Sequence, residues 1–180
     1  HSLGVTKFVT RDAWKELPAE ERAKSGVRRF QSSAKAKLTE EKARELGIAF
    51  KPRSYLWTLS TDTFDRYKDI IRVPGWQTEN YKQAGSVVQW AHDTRSLPIG
   101  TMLTTWKETG LKQGHNRLRG VRHFHGETQL SKEVATLVDL DILRASSVGF
   151  MPLEMKDIME EERWIGFDFV KSDLRFVFPW

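Results

Sequence analysis

Cysteine is absent from this chain of 180 residues. That excludes thiol nucleophiles, disulfides and thiolate-held zinc together, and it suits a reducing compartment. No apolar run approaches the ~20 residues a membrane-crossing helix needs, so a soluble protein with no membrane partner is expected. No secretory signal is visible, and His1-Ser2 carry no weight in the reading. The charge imbalance is small, +5. It favours acidic partners weakly and leaves nucleic acid an unexpected partner. What the chain does have is enough apolar material for one core: 39% hydrophobic residues, with seven Trp and ten Phe. The length fits one domain plus an appendage.

The first 50 residues differ from the rest. Pro18-Ala19-Glu20-Glu21 reads as a helix start, with proline in the first turn and acids at the positive end of the dipole. Thr39-Glu40-Glu41 is a second start, with Gly47 as a stop. Between them, Arg22 to Leu38 holds six Lys or Arg and no Asp or Glu. That composition fits either a basic arm for an acidic protein or nucleic acid, or a solvated linker, which we favour. Residues 1–50 are therefore expected to form a helical, basic appendage and 51–180 the main domain.

From Ser54 onward strands dominate. Tyr55, Trp57 and Leu59 alternate with Ser54, Thr58 and Ser60, the pattern of a half-buried strand. Short strands are expected at Ile70–Val73, Val87–Trp90, Ile99–Trp106 and Leu118–Phe124, with a short helix over 77–84. Ser131 is a good N-cap, and Val134, Leu137, Val138 and Ile142 recur at helical spacing, predicting an amphipathic helix to about Arg144. Glu154 to Glu162 reads as a charged loop or hairpin tip, and Trp164–Val170 and Leu174–Phe178 as closing strands. The expected fold class is α+β: a β-barrel-like core of short, mostly antiparallel strands with packed helices.

Two places attract chemistry. His92 follows a buried strand and precedes Asp93–Ser96, which is turn chemistry; a histidine there is fixed yet reachable. Ser147 lies among small residues after the predicted helix. In an extended segment neighbours face opposite ways, so Ser147 shares a face with Ala145 and Gly149, while Ser146 shares one with Val148 and Phe150. A serine needs a base, and the base an orienting group, before it is a useful nucleophile. His115, His123 and His125 raise the question of a metal. His123 and His125 share a strand face, but no third ligand is evident, so neither a metal nor a cofactor is expected.

Taken in order, several segments resemble the prohead protease family of tailed bacteriophages: Ser60-Thr61 with Asp65-Arg66 and Asp69, Gly75-Trp76, Val88-Gln89-Trp90-Ala91-His92-Asp93, Pro98-Ile99-Gly100, and Leu143 through Ser147-Val148-Gly149-Phe150. The resemblance covers about Leu56 to Pro152. It implies a fold similar to herpesvirus assemblin and a serine endopeptidase with Ser147 as nucleophile and His92 as general base. Backbone N–H groups at 147–149, or Arg144, are candidate oxyanion donors. The family's glutamate is expected just after Leu174-Arg175, where this chain has Phe176-Val177-Phe178. The position is expected to be filled by a residue outside this sequence, by Asp168 or Asp173, or by a histidine such as His123 or His125, since the herpesvirus relatives orient their base with a histidine.

The resemblance further implies action inside the immature capsid in the host cytoplasm. The substrates would be the scaffold protein, or the scaffolding segment of the major capsid protein, and the protease itself; a homo-oligomer is compatible with it. The alternative is a non-catalytic capsid-assembly or scaffold-binding module of the same fold.

Overall fold

The computed structural model describes residues 35–65, 67–91, 93, 95–110 and 115–179. The helix start at Pro18, most of the basic stretch from Arg22, and His92 lie outside the described residues. In chain order the elements are β1 (Lys35–Lys37), α1 (Glu40–Glu45), β2 (Ser54–Thr61), β3 (Ile70–Ile71), a 3-10 turn (Val73–Gly75), β4 (Trp76–Gln77), α2 (Glu79–Gln83), β5 (Val87–Val88), β6 (Gly100–Glu108), β7 (Arg117–Phe124), α3 (Gln129–Asp139), β8 (Ser146–Glu160) and β9 (Arg163–Pro179). This is a mixed α+β fold, mostly strands in an open sheet.

The spine of the sheet is β9. On one edge it takes β3, β4 and β5 in succession, all parallel, at Asp168–Phe169, Ser172–Asp173 and Val177. On the other edge it takes β8, antiparallel. From β5 the sheet continues through β6, β7 and β2 to β1 by antiparallel pairs. The pass from β3 to β5 hugs β9 so closely that Gly75 cannot carry a side chain: a Cβ there would lie 1.8 Å from the Val170 carbonyl oxygen.

Strand β2 is buried on both faces rather than half-buried. Tyr55, Trp57 and Leu59 enter the main core with Trp76, Val88, Met102, Leu118, Phe124, Val134 and Val177. Leu56 faces the other way, into a smaller core with Leu38, Ala43 and Val121. Thr39 caps α1 as expected, its Oγ1 accepting from Lys42 N at 3.1 Å. Of the expected appendage, β1 thus joins the sheet at the edge of β2, and the segment after it lies against β2 and β7, with Leu38 and Ala43 buried there.

Helix α3 starts one turn early. Its N-cap is Thr128, whose Oγ1 accepts from Ser131 N at 3.2 Å. Ser131 is instead fully buried, its hydroxyl donating to Ile99 O at 2.6 Å and accepting from Gly126 N. The helix stops at Asp139, and Asp141 has a positive φ of 60°, so Ile142 falls outside it and is exposed. Strands β8 and β9, 15 and 17 residues long, correct the expectation of short strands. Glu154–Glu160 is strand, and the turn is confined to Glu161-Glu162, both at positive φ (49° and 64°), as two-residue hairpin turns require. Residues 151–157 of β8 are exposed, so their composition imitates a loop. Among the described residues no helix is long and apolar enough to cross a membrane.

Candidate active site

The serine and the segment leading to the histidine come together around one residue of β9. Val177 is flanked by Val88 on β5 and by Val148 on β8. Val88 and Val177 belong to the main core, and the half-buried Val148 packs against it. One step along, Ser147 is paired with Phe178, and Gln89, whose N–H donates to Val177 O at 3.1 Å, lies on the other side of Phe178. Gln89, just past the end of β5, thus forms one row with Phe178 and Ser147, which puts Gln89 and Ser147 about 10 Å apart at the usual strand spacing. His92 lies three residues beyond Gln89 and outside the described residues. The turn expected there is in place: Asp93 N donates to Trp90 O at 2.8 Å, and Asp93 accepts from Arg95 N (2.9 Å) and Ser96 Oγ (2.5 Å). The Ser96 hydroxyl, then the Arg95 N–H, hold the Asp93 carboxyl below its ordinary range.

Ser146 and Ser147 face opposite ways, and their surroundings differ. Ser146 Oγ accepts from Arg122 Nη2 at 2.6 Å and donates to Phe178 O at 3.2 Å. Ser147 is half-buried on the outer face beside Gly149, over which the Phe176 and Phe178 rings lie. Its hydroxyl has no hydrogen-bond partner among the described residues. Chemically, Ser146 is a committed structural group and Ser147 an accessible, uncommitted one.

Arg122, which sequence reasoning missed, is fully buried on β7, opposite Tyr55. Its guanidinium lies 4.3 Å from the Trp57 ring centroid, a cation–π contact, and Nη2 also donates to Phe178 O at 3.3 Å. Among the described residues no carboxylate pairs with it, and Nε and Nη1 have no partner. Burial pushes its pKa down. A signal was there: period two places Arg122 with Leu118, Gly120 and Phe124 on the inward face of β7.

The candidates for the third member are dispersed. Asp168 is paired with Lys156, nine residues from Ser147 along β8, or roughly 30 Å of strand. Both its oxygens accept from Arg72, at 2.8 and 2.7 Å. Asp168 is thus a partner of Arg72, set apart from Ser147 along the ladder. Arg122 touches Ser146, and the next residue on each strand, His123 and Ser147, takes the other face of its strand. His123 Nδ1 donates to Pro52 O at 3.1 Å, and burial, reinforced by Lys51, lowers its pKa. His125 accepts from Glu127 N on Nδ1 and therefore donates from Nε2, to Pro98 O at 2.7 Å. His115 is exposed before β7, and the Arg144 guanidinium is occupied by Asp141. Asp173 is buried opposite Met151, four residues from Ser147, roughly 13 Å along the strand. Its Oδ2 accepts from Asn80 (3.0 Å) and Arg175 (2.8 Å), while its buried Oδ1 has no partner among the described residues.

No family model, curated protein or solved structure matches the chain.

Proposed function

We propose that this chain is a serine endopeptidase of the prohead type, with the barrel-like architecture of assemblin. The observation that carries the reading is the row Gln89–Phe178–Ser147: it sets an uncommitted serine two strands from the segment that leads to His92. Support for the barrel-like reading comes from Arg122 on β7 reaching Ser146 on β8 across the interior, and from β8 packing against β2. Ser147 Oγ attacks the scissile carbonyl carbon, and His92 takes the hydroxyl proton and passes it to the leaving amine. Water then hydrolyses the acyl-enzyme ester. The substrate is an extended segment of the scaffold or of the major capsid protein, and the chain's own polypeptide, inside the prohead in the host cytoplasm. Of the two acids considered, Asp173 is the nearer to Ser147 along the ladder.

The test is to incubate the protein with scaffold and major capsid protein, and separately with a fluorophosphonate that reacts with activated serines. Cleavage and labelling at Ser147 are expected, both abolished by Ser147→Ala and by His92→Ala, with the double variant no worse than either because the groups act as a unit. Cleavage at the wild-type rate in Ser147→Ala would remove the reading. One observation favours a second reading, a non-catalytic scaffold-binding module: Asp168 is held by Arg72, nine residues from Ser147 along β8. Tight scaffold binding without cleavage or labelling would establish it.

A further inference from the structure

Ser147 is preceded on β8 by Ser146, which is paired with Pro179. At that point Arg122 enters from the opposite wall. Its Nη2 donates to Ser146 Oγ, on the residue preceding Ser147, and to Phe178 O, on the residue paired with Ser147. Ser146 Oγ donates to the same carbonyl, which closes a triangle over two strands. The guanidinium carbon lies over the ring of Trp57, itself fully buried, which restricts the fork on that side.

A buried guanidinium with no carboxylate and with two unpartnered nitrogens among the described residues is an expensive way to hold a core together; apolar residues of the same volume commonly serve stability as well or better. Its flat guanidinium, however, packs against Trp57 and holds one nitrogen within reach of acceptors on two strands, which an apolar side chain cannot do. We propose that Arg122 is a positioning residue for Ser147: an interior clamp that fixes the residue before it and the residue across from it. The proposal rests on the reading of Ser147 as nucleophile for its consequence in catalysis, but the clamp itself is a statement about two strands.

The experiment uses the full chain with Arg122→Met, Arg122→Lys and Ser146→Ala, and two measurements. One is residue-resolved amide hydrogen exchange. The other is the rate of fluorophosphonate labelling against reagent concentration, which separates the maximal rate from the half-saturating concentration. In Arg122→Met, exchange at Ser147 and Phe178 is expected to rise about 10-fold or more while the β2–β7 pairs keep their protection, as a local opening requires. The maximal labelling rate is expected to fall by roughly 10- to 100-fold with half-saturation unchanged, the signature of a displaced nucleophile. Arg122→Lys, which keeps donors but loses the plane that packs on Trp57, is expected to lie between. A uniform rise in exchange over the whole sheet, or no change in either measurement, overturns the proposal. If Arg122→Met does not fold, Ser146→Ala decides: faster local exchange supports the clamp and unchanged exchange overturns it. If wild-type Ser147 is never labelled, the protease reading fails, and exchange alone still decides whether the clamp exists.

Discussion

The β8–β9 ribbon joins two halves that obey different rules. In the inner half, Ser146–Phe150 against Leu174–Pro179, one face meets the main core and β9 has β5 on its far edge. In the outer half, beyond Met151, β8 is exposed along most of its length. Cohesion there comes from a file of edge-on and tilted rings that leaves the core at Trp76 and runs through Phe150, Phe169 and Phe167 to Trp164, with centroids 5.6, 5.2, 5.9 and 5.1 Å apart. One continuous ladder can thus be rigid by enclosure at one end and by stacking at the other. The uncommitted serine lies on the enclosed half, where its neighbours have the fewest ways to move.

The difference can be broken most severely where β9 is gripped between the halves. Gly75→Ala places a Cβ 1.8 Å from Val170 O, which only a backbone shift can relieve. A loss of about 3 kcal/mol in urea unfolding is expected, whereas Gly149→Ala, whose Cβ meets the Phe176 ring at 3.2 Å, is expected to cost about 1 kcal/mol or less. Next comes the serine pair. Ser146→Ala removes one of the two acceptors of Arg122 Nη2 and is expected to cost about 1–2 kcal/mol. Ser147→Ala is expected to stay within about 0.5 kcal/mol of wild type while losing all fluorophosphonate labelling. A larger stability loss at Ser147 than at Ser146 would reverse their assignment.

Asp168→Asn sharpens the contrast from the outer half. It removes a two-point pair with Arg72 that is partly exposed (side chains 33% and 19%), so about 1 kcal/mol of stability is expected to go, with labelling of Ser147 unchanged. A collapse of labelling would return Asp168 to the site.

The smallest effect is one of pH. Burial lowers the folded-state pKa of His123 below its unfolded value. The unfolded chain then binds the proton more readily, and stability falls as pH drops through the ordinary histidine range towards the folded pKa. Thermal melts from pH 7 to pH 5 are expected to show a decline that His123→Gln reduces. Identical slopes in the two proteins would remove His123 as its source.

Local patterns were legible in sequence; distant partnerships were not. The alternation in Tyr55-Leu56-Trp57 located β2, and the same rule sent Ser146 and Val148 inward and Ser147 outward. It could not foresee that Leu38 and Ala43 would cover the second face of β2, because that burial depends on a contact outside the window. The parallel edge of β3, β4 and β5 joins residues 70–88 to residues 168–177, and two-residue strands carry no periodicity of their own. Ser131 looked like a cap because serine suits that role, but Thr128 is followed by the same apolar rhythm and leaves Ser131 free to bridge Ile99 and Gly126. Arg122 was hidden by its residue type, since charge is read as exposure unless the strand phase is trusted over it.

The dependence of three strands on β9 also sets an order in time. As the chain leaves the ribosome, residues 70–88 emerge long before residues 163–179, and until the latter are made β3, β4 and β5 have no partner on that edge. β5 alone has β6 on its other side. Hairpins such as β6–β7 can close early from local contacts, while the row that holds Ser147 is among the last parts to assemble. Whatever Ser147 does, a nascent chain cannot do it before β9 exists.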